Sequence, residues 1–272
     1  MDEDLLSFLH GELCMLSTQS HGSISHAASR KERSLRLYLA RHQDEVEAAQ
    51  RLRYDVFSAE YGAQLSGRPG LDQDEYDPFC EHLIVEDEVR QEVVGTYRLF
   101  LPEKVARVGR YYAETEFDLS RLLTMNARIM ELGRSCVHPG YRQGAVIALL
   151  WSGLAEAMKM WQIDYLMGCA SVHSTDGQAV GALYQTLGTH LTPLEQRVFP
   201  LRALPHFDAQ AQVEPALLPG LLKGYLRAGV RLGGEPFWDP QFHCADFFVW
   251  CESTLISPRY QQRFLEPVDA RK

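Results

Sequence analysis

The sequence predicts a layered α/β (α+β) domain in which helices flank a mixed central sheet. Short stretches of alternating apolar and polar residues indicate strands, and longer stretches with apolar residues at helical spacing indicate helices. Along the chain the elements follow the order strand, helix, hairpin, central strand, helix, strand, helix, strand. This order is typical of a layered domain built on one mixed sheet.

In the first half of the chain, residues 1–30 are expected to form a flexible tail or a short amphipathic helix. Alternation over 35–41 predicts the first strand. Helical spacing over 44–61 predicts a helix with Asp44 as its N-cap and Gly62 as its stop. The composition of 62–80 predicts a loop, and 82–88 with 92–100 predict a hairpin joined around 89–91.

In the second half, residues 125–137 predict the central strand and 142–161 predict an apolar helix. A strand over 164–171 and a helix over 177–187 follow, and the Pro-rich stretch 193–219 is expected to be irregular. Residues 221–232 predict a core helix with a solvated basic edge, or a helix that lies on a membrane surface. A last strand over 245–252 and a closing helix over 258–265 complete the prediction.

The composition excludes several classes of protein. The chain has 272 residues, of which 46% are hydrophobic, and a formal net charge of −9. No apolar run is long enough for a bilayer, and the acidic balance gives no support for a nucleic-acid partner. The acidic N-terminus lacks the basic region of a signal peptide, and the six cysteines show neither a CxxC pair nor zinc-type spacing. We therefore expect a cytoplasmic protein without a metal site.

Nucleotide-binding and hydrolase motifs are also absent from the sequence. No GxGxxG follows the first strand, which argues against a dinucleotide-binding domain. The chain contains no GxSxG elbow and no GxxxxGK[ST] loop.

Charged residues fall where the pattern predicts a core. They are Arg53 in the first helix, Asp74 and Asp77 in the loop, Arg98 in the hairpin, and Glu131 and Arg134 in the central strand. Most have an ordinary explanation, such as an exposed helix arginine, an edge charge or turn-forming aspartates. Glu131 and Arg134 suggest a site, because a buried strand normally avoids unpaired charge, although a salt bridge between them is the alternative.

These residues lie in motifs that resemble one family. The motifs are RLRYDVF, DQDEYD, VVGTYRL, ELGRSCVHPGYR, LLW and GCASVHSTD, followed by a tail that runs from LLKGYLRAG to CADFFVW. Their order resembles that of the N-acyltransferases of ornithine-lipid synthesis, which are GNAT-like and related to acyl-homoserine-lactone synthases. The resemblance implies one GNAT-like domain over 31–267, with a C-terminal extension from about 203. In the tail, His243 and Cys244 depart from the family's usual residues, while Asp239 and Asp246 remain.

The resemblance implies transfer of a 3-hydroxyacyl chain from acyl carrier protein to the α-amino group of L-ornithine. The product would be a lyso-ornithine lipid, to which a separate O-acyltransferase would add a second chain. The carrier's phosphopantetheine thioester would be a co-substrate, no cofactor would be bound, and the protein would lie in the cytoplasm or at the inner membrane surface. Glycine, lysine or tyrosine stays open as the acceptor. A homoserine-lactone-synthase-like activity and a hemolysin-like membrane-active protein are further alternatives.

Glu131 is the predicted general base. Aminolysis of a thioester needs a neutral amine, and an amino group with a pKa of ~8 is mostly protonated at pH 7. A carboxylate can take that proton directly or through one water, and partial burial would raise its pKa toward the useful range.

The remaining residues of the shared pattern are expected to bind substrate. Arginine suits the acceptor's carboxylate through bidentate hydrogen bonds, which nominates Arg53, Arg98 or Arg134. The resemblance adds Phe57 to this set. Asp74 and Asp77 either receive the acceptor's ammonium or hold the loop by pairing with those arginines.

The start of the helix after the central strand is expected to hold the acyl donor. Coenzyme A-using relatives carry Arg/Gln-x-x-Gly-x-Gly/Ala there, and its backbone N–H groups bind pyrophosphate. Counting from Arg142, Ala145 and Ile147 stand where that motif has its small residues Gly and Gly/Ala. The loop is therefore less suited to a pyrophosphate, which favours a carrier-bound arm with its single phosphodiester. Coenzyme A is the alternative donor. The predicted donor contacts are Cys136, Val137, Arg142 and Gly144.

Glu131 and Arg134 raise a geometric question, because residues three apart on a regular strand point to opposite faces. One extra residue in the strand restores a shared face. We therefore predict a β-bulge at Leu132–Gly133 that splays this strand from the next one and opens a slot for the donor. A regular strand, with Arg134 paired on the other face, is the alternative.

Overall fold

The structure, a computed structural model, describes residues 34–62, 65 and 67–255. Its first half contains the strands β1 (Leu35–Leu39), β2 (Glu81–Asp87), β3 (Glu92–Phe100), β4 (Phe117–Asp118) and β5 (Ile129–Val137). The helices of this half are α1 (Gln43–Tyr61), α2 (Pro102–Val108) and α3 (Ser120–Leu123). Short 3-10 turns cover Asp77–Phe79, Tyr112–Thr115 and Pro139–Tyr141.

The second half begins with α4 (Ala145–Met160), β6 (Tyr165–Val172) and α5 (Gly177–Thr186). The stretch that follows is largely irregular, as predicted, apart from two 3-10 turns and β7 (Phe199–Pro200). The described chain then forms α6 (Gly220–Ala228), β8 (Arg231–Leu232), β9 (Phe237–Asp239) and β10 (Cys244–Glu252). None of the helices in the described ranges combines the length and apolar character needed to cross a membrane.

The main sheet is mixed, which confirms the predicted fold class. Its strand order is β1–β2–β3–β5–β6–β10–β8, and β9 pairs with β10 beside β8. The β5–β6 pair is parallel, and the other strand pairs described in this sheet are antiparallel. β4 and β7 form a separate two-stranded ribbon.

Several predicted boundaries need correction. The N-cap of α1 is His42 rather than Asp44: His42 has an extended backbone, and the Glu45 carboxylate accepts its N–H. Gly62 ends α1 as predicted, in the left-handed conformation with φ 58°. The helix predicted from residue 142 begins at Ala145, after a 3-10 turn. The helices predicted within 1–30 and over 258–265 lie outside the described residues.

Helix α4 packs closely on one face of the sheet. A Cβ added to Gly95 of β3 would stand 2.4 Å from Val146, and one added to Gly153 would stand 2.8 Å from Leu83 of β2. Both glycines therefore permit a close helix–sheet approach that a side chain would block. Helix α1 packs against β3 and β5, where Leu52, Val56 and Phe57 surround the buried Cys136.

A β-bulge interrupts β5, as predicted, but at a different position. Thr96 of β3 lies opposite Cys136, whereas Arg98 lies opposite Gly133, so β5 carries one extra residue between these pairs. Arg134 has the left-handed φ of 51°. The extra residue thus falls at Arg134–Ser135 and not at Leu132–Gly133. A non-glycine side chain in this conformation costs roughly 1–2 kcal/mol, and the ion pairs of Arg134 described below offset that cost.

The bulge coincides with a separation of two strands. The parallel pairing of β5 with β6 runs from Ile129 with Tyr165 to Leu132 with Gly168 and then stops. β6 continues beyond this point with β10 as its partner, up to the pair of Val172 with Ala245. A slot therefore opens between β5 and β6 beyond Leu132, as predicted.

Candidate active site

A cavity of about 340 Å³ lies where β5 and β6 separate, and it reaches both faces of the sheet. Strand side chains alternate between faces, and the walls include neighbours from both faces, such as Glu131 with Leu132 and Cys169 with Ala170. On the face covered by α1, which we call the polar lobe, the walls include Arg98, Tyr112, Glu116, Glu131, Arg134, Asp239 and Asp246. On the face covered by α4 and α6, which we call the apolar lobe, they include Trp151, Leu154, Met158, Leu166, Leu222 and Val249.

The apolar lobe is enclosed by aromatic and aliphatic side chains. Trp151 of α4 stacks on Tyr225 of α6 with 6.0 Å between ring centroids. The hydroxyl of Tyr225 contacts that of Tyr97, which comes from β3. A narrow space with such walls suits an extended alkyl chain.

Glu131 lies at the edge of the slot and is 4% exposed. Its carboxylate accepts the backbone N–H of Tyr112 at 2.7 Å and that of Ala113 at 2.6 Å, both from the 3-10 turn at Tyr112–Thr115. Burial raises the pKa of Glu131 to about 7, although the two backbone donors act in the opposite direction. The carboxyl can therefore accept a proton near neutral pH.

Buried ion pairs join α1, the loop after it and the sheet. Arg53 is fully buried; its Nε lies 2.7 Å from Asp72 and its Nη2 lies 2.8 Å from Asp77. Arg98 lies 2.7 Å from Asp74 and 3.3 Å from Asp77. Burial by itself would raise the pKa of Asp77, but Arg53 and Arg98 outweigh it and hold the pKa below its ordinary value. These contacts fix the loop on the sheet.

Arg134 joins this network at the wall of the cavity. Its Nη2 donates to Asp74 at 3.2 Å, and its Nε lies 3.3 Å from Asp72 without the geometry of a hydrogen bond. The guanidinium lies over the rings of Tyr112 and Phe242, at 5.2 and 5.5 Å from their centroids. Arg134 is thus held on the same face as Glu131, and a salt bridge between the two is not among the ion pairs of the described residues.

The other predicted substrate residues differ in their access to the cavity. Phe57 and Arg98 line it, and Phe57 packs edge-to-face on Phe242 at 5.9 Å. Arg53 does not line the cavity, and its interpretation as an exposed helix residue is wrong because its side chain is fully buried. Of the two roles left open for Asp74 and Asp77, the structure shows the pairing with arginines.

The four predicted donor residues follow the slot along β5 and the start of α4, outside the walls of the cavity. The backbone N–H of His138 donates to the Val94 carbonyl of β3. Because successive N–H groups of an antiparallel strand point in opposite directions, the Cys136 N–H points toward β3 and the Val137 N–H points away from it. Arg142 donates from Nε to the Val137 carbonyl at 3.2 Å and pairs with Glu60 at 2.7 Å. Gly144 is the N-cap of α4 with φ 95°.

The cavity also contains polar residues that have no place in the predicted site. Among them are Tyr112, Glu116, Asp239 and Asp246. The family resemblance includes Asp239 and Asp246 only as part of the C-terminal tail and gives them no role. The stretch around Glu116 carries no periodic pattern and no motif. Only the folded chain brings these side chains to the polar lobe.

Known proteins resemble this chain in sequence over most of its length. The acetyltransferase (GNAT) domain family matches residues 52–152. An L-ornithine N(alpha)-acyltransferase of Rhodobacter capsulatus is 35% identical over 88% of this chain and 97% of its own length. One of Brucella abortus is 36% identical over 84% of this chain and 87% of its own length.

Solved structures share the fold at low sequence identity. The AHL synthase LasI superposes with a TM-score of 0.51 at 14% identity, over 86% of this chain and 95% of its own. FeeM, an N-acyl amino acid synthase from uncultured soil microbes, superposes with a TM-score of 0.52 at 10% identity, over 87% of this chain and 97% of its own. The fold is therefore that of GNAT-like acyltransferases, as predicted. With curated relatives at this identity over nearly their whole length, the chain is an acyltransferase and belongs to the L-ornithine N(alpha)-acyltransferase family.

Proposed function

We propose that the protein transfers a 3-hydroxyacyl chain from acyl carrier protein to the α-amino group of L-ornithine. The observation that carries this proposal is the cavity through the sheet, with Glu131 and Arg134 on one face and an apolar lobe on the other. The names of the curated relatives support ornithine as the acceptor. The residues that act are Glu131 as the catalytic base and Arg134, Arg98 and Phe57 as the walls of the acceptor site.

The reaction begins with an ammonium group that must lose a proton. Glu131 takes this proton, and its raised pKa of about 7 matches it to an amine near neutral pH. The neutral amine attacks the thioester carbonyl carbon, and the new C–N bond gives a tetrahedral intermediate. The proton that Glu131 took first passes to solvent, so that the carboxylate can accept a second proton from the nitrogen of the intermediate. The C–S bond then breaks as the carbonyl re-forms, and the pantetheine sulfur leaves as a thiol with this second proton, which it receives from Glu131 directly or through water.

The arginines of the polar lobe orient the acceptor. Arg134 and Arg98 line the cavity, and each is anchored by Asp74, so their guanidinium groups are held in place before the substrate arrives. An α-carboxylate on Arg134 places the adjacent α-amino group toward Glu131. Arg53 and Asp77 act indirectly in this scheme, because they hold the loop that carries Asp74.

The acyl donor enters through the slot between β5 and β6. The Val137 N–H, directed away from β3, is the donor that faces this slot and can stabilise the oxyanion of the tetrahedral intermediate. Arg142 and Gly144 lie at the start of α4 and suit the single phosphodiester of a carrier-bound arm. Cys136, paired with Thr96 and packed on α1, shapes this stretch of strand instead of contacting the arm.

The C-terminal part of the chain completes the cavity, which supports one catalytic domain over 31–267. Leu222 and Tyr225 of α6 wall the apolar lobe, and Asp239 and Asp246 wall the polar lobe. Large apolar side chains are exposed between β6 and α6, at Leu194, Phe199, Leu201 and Leu217. They favour a peripheral position at the inner membrane surface, where an O-acyltransferase would take up the product.

The decisive experiment supplies the purified protein with 3-hydroxyacyl carrier protein and single amino acids. We expect N-acyl-ornithine by mass spectrometry, with acyl-coenzyme A as a poorer donor. Product with glycine or tyrosine at the expense of ornithine would contradict the acceptor assignment. Equal rates with acyl-coenzyme A would contradict the donor assignment.

A further inference from the structure

Three buried carboxylates stand together at one wall of the polar lobe. Glu116, after the 3-10 turn at Tyr112–Thr115, is 4% exposed; Asp239 of β9 is 6% exposed and Asp246 of β10 is 3% exposed. All three line the same cavity as Glu131. We call them the acidic wall.

The acidic wall has no cation of its own among the described residues. Asp72, Asp74 and Asp77 each have an arginine within 3.3 Å, whereas no ion pair of the described chain includes a member of the acidic wall. Glu116 Oε2 is buried and has no hydrogen-bond partner. An unpaired carboxylate oxygen away from water is costly, unless a ligand supplies the missing partner.

The electrostatics of the acidic wall agree with this geometry. Burial and then the neighbouring Asp246 raise the pKa of Glu116 well above its ordinary value. Burial likewise raises the pKa of Asp246 to about 6, and Asp239 adds to the rise. A bound cation would stabilise the charged forms and relieve the mutual repulsion.

Tyr112 links the acidic wall to the catalytic carboxylate. Its backbone N–H donates to Glu131, and its hydroxyl interacts with both Glu116 and Arg134. Glu131 and Glu116 are therefore joined by one tyrosine with a hydrogen bond at each end. Ornithine with a hydrogen bond at each of its two amino groups has a comparable length. A carboxylate on Arg134 and an α-amine at Glu131 would direct a cationic side chain toward Glu116.

We propose that Glu116, with Asp239 and Asp246, binds the side-chain ammonium of the acceptor and selects a dibasic amino acid. The inference rests on the proposed function, because it assumes that the acceptor's amine lies at Glu131. This site would distinguish the possible acceptors by the charge of their side chains. Ornithine and lysine carry the required side-chain charge, whereas glycine and tyrosine would leave the acidic wall without a cation.

The test compares ornithine with 2-aminopentanoate, which has the same carbon chain without the terminal ammonium. For the wild type we expect kcat/KM to favour ornithine by about 10²-fold or more, because a buried polar group left unpaired discriminates strongly. Glu116→Gln and Asp246→Asn should lower this ratio at least about tenfold, mainly through KM for ornithine. Glu214→Gln, at an exposed carboxylate outside the cavity, should keep the ratio.

Two results would overturn the inference. One is a wild-type ratio near unity, or a ratio that the acidic-wall variants leave unchanged. The other is a metal requirement: ligand atoms of Asp239, Cys244 and Asp246 lie within 4.8 Å of one another and could hold an ion. A loss of ornithine selectivity on dialysis against a chelator, restored by a divalent metal, would assign the wall to that metal.

Failure of the proposed function gives a different result. A wild type that acylates neither amino acid contradicts the acyl transfer itself. Calorimetric titration of the same protein with ornithine and with 2-aminopentanoate then still decides the inference, since it measures binding without turnover. Tighter binding of ornithine that weakens in Glu116→Gln supports the acidic wall, and equal binding refutes it.

Discussion

Glu131 and Arg134 face one cavity although they lie three residues apart on one strand. The extra residue in β5 and the left-handed backbone of Arg134 place both side chains on the α1 face. The same irregularity ends the pairing with β6 and opens the slot. In the proposed mechanism, the general base, the group that binds the acceptor's carboxylate and the entry for the acyl donor therefore all depend on a single backbone feature.

The raised pKa of Glu131 predicts a pH dependence. A base acts when it is deprotonated, so kcat should rise with pH through about 7 and level off above it. The corresponding limb should be absent in Glu131→Gln. Isotope-detected NMR of the carboxyl groups would measure the titration directly, and a Glu131 midpoint near the ordinary value of 4.5 would contradict the prediction.

The same shift affects stability. Since the folded state holds the Glu131 proton more tightly than the unfolded state does, this residue's contribution to stability falls as pH rises from about 4.5 to about 7. Glu131→Gln should therefore raise the Tm, relative to the wild type, more at pH 8 than at pH 5. Thermal unfolding at the two pH values measures the difference, and a pH-independent change in Tm would speak against it.

Arg134→Lys tests the role of the guanidinium. Lysine keeps the charge but loses the planar fork that binds a carboxylate through two hydrogen bonds. We expect KM for the acceptor to rise about tenfold or more, with KM for the acyl donor nearly unchanged. Arg128→Lys, at a half-exposed arginine outside the cavity, is the matched control. Equal effects on the two KM values would remove Arg134 from the acceptor site.

Arg53→Met tests the buried network. The substitution removes the closer of the two arginines that pair with each of the buried Asp72 and Asp77, and only the contacts at 3.3 Å with Arg134 and Arg98 remain. This loss should cost about 3–5 kcal/mol of unfolding free energy. Arg51→Met is the control, because the Arg51 side chain is 56% exposed. Adding Asp72→Asn and Asp77→Asn to Arg53→Met should recover part of the loss. Urea unfolding measures all of these variants, and a loss below about 1 kcal/mol for Arg53→Met would refute a structural role.

A carrier-protein donor predicts sensitivity to salt. Exposed charge pairs between two proteins are screened over ~10 Å at 0.1 M ionic strength, so the rate with acyl carrier protein should fall as salt is added. Arg142→Ala should reduce both the rate and its salt dependence, because Arg142 is exposed at the start of α4. A rate with acyl carrier protein that does not change with salt would contradict this prediction.

The sequence allowed the main elements and the shared face of Glu131 and Arg134 to be predicted, because both follow from local patterns. Periodicity marks long strands and helices, and two charges three apart in a strand require an irregularity if both serve one site. The position of the bulge was wrong, because glycine is the residue that ordinarily tolerates the needed backbone. Here the ion pairs with Asp72 and Asp74 hold an arginine in that conformation instead.

Elements with little periodicity escaped prediction. Helix α2 has seven residues and α3 has four, too few for a helical repeat to stand out. Their segment carries the 3-10 turn that donates to Glu131, and it also carries Glu116. The polar lobe combines this segment with β9 and β10, which lie more than a hundred residues later in the chain, so only tertiary structure reveals the acidic wall.

The proposed mechanism depends on Glu131, which would remove the proton from the α-amino group of ornithine before the acyl chain is transferred. Its most direct test is the single-turnover rate of N-acyl-ornithine formation from 3-hydroxyacyl carrier protein in the wild type and in Glu131→Gln. We expect a fall of ~10²–10⁴-fold in the variant, with donor binding little changed because the carboxylate lies on the proposed acceptor side of the slot. A wild-type rate in Glu131→Gln would contradict it.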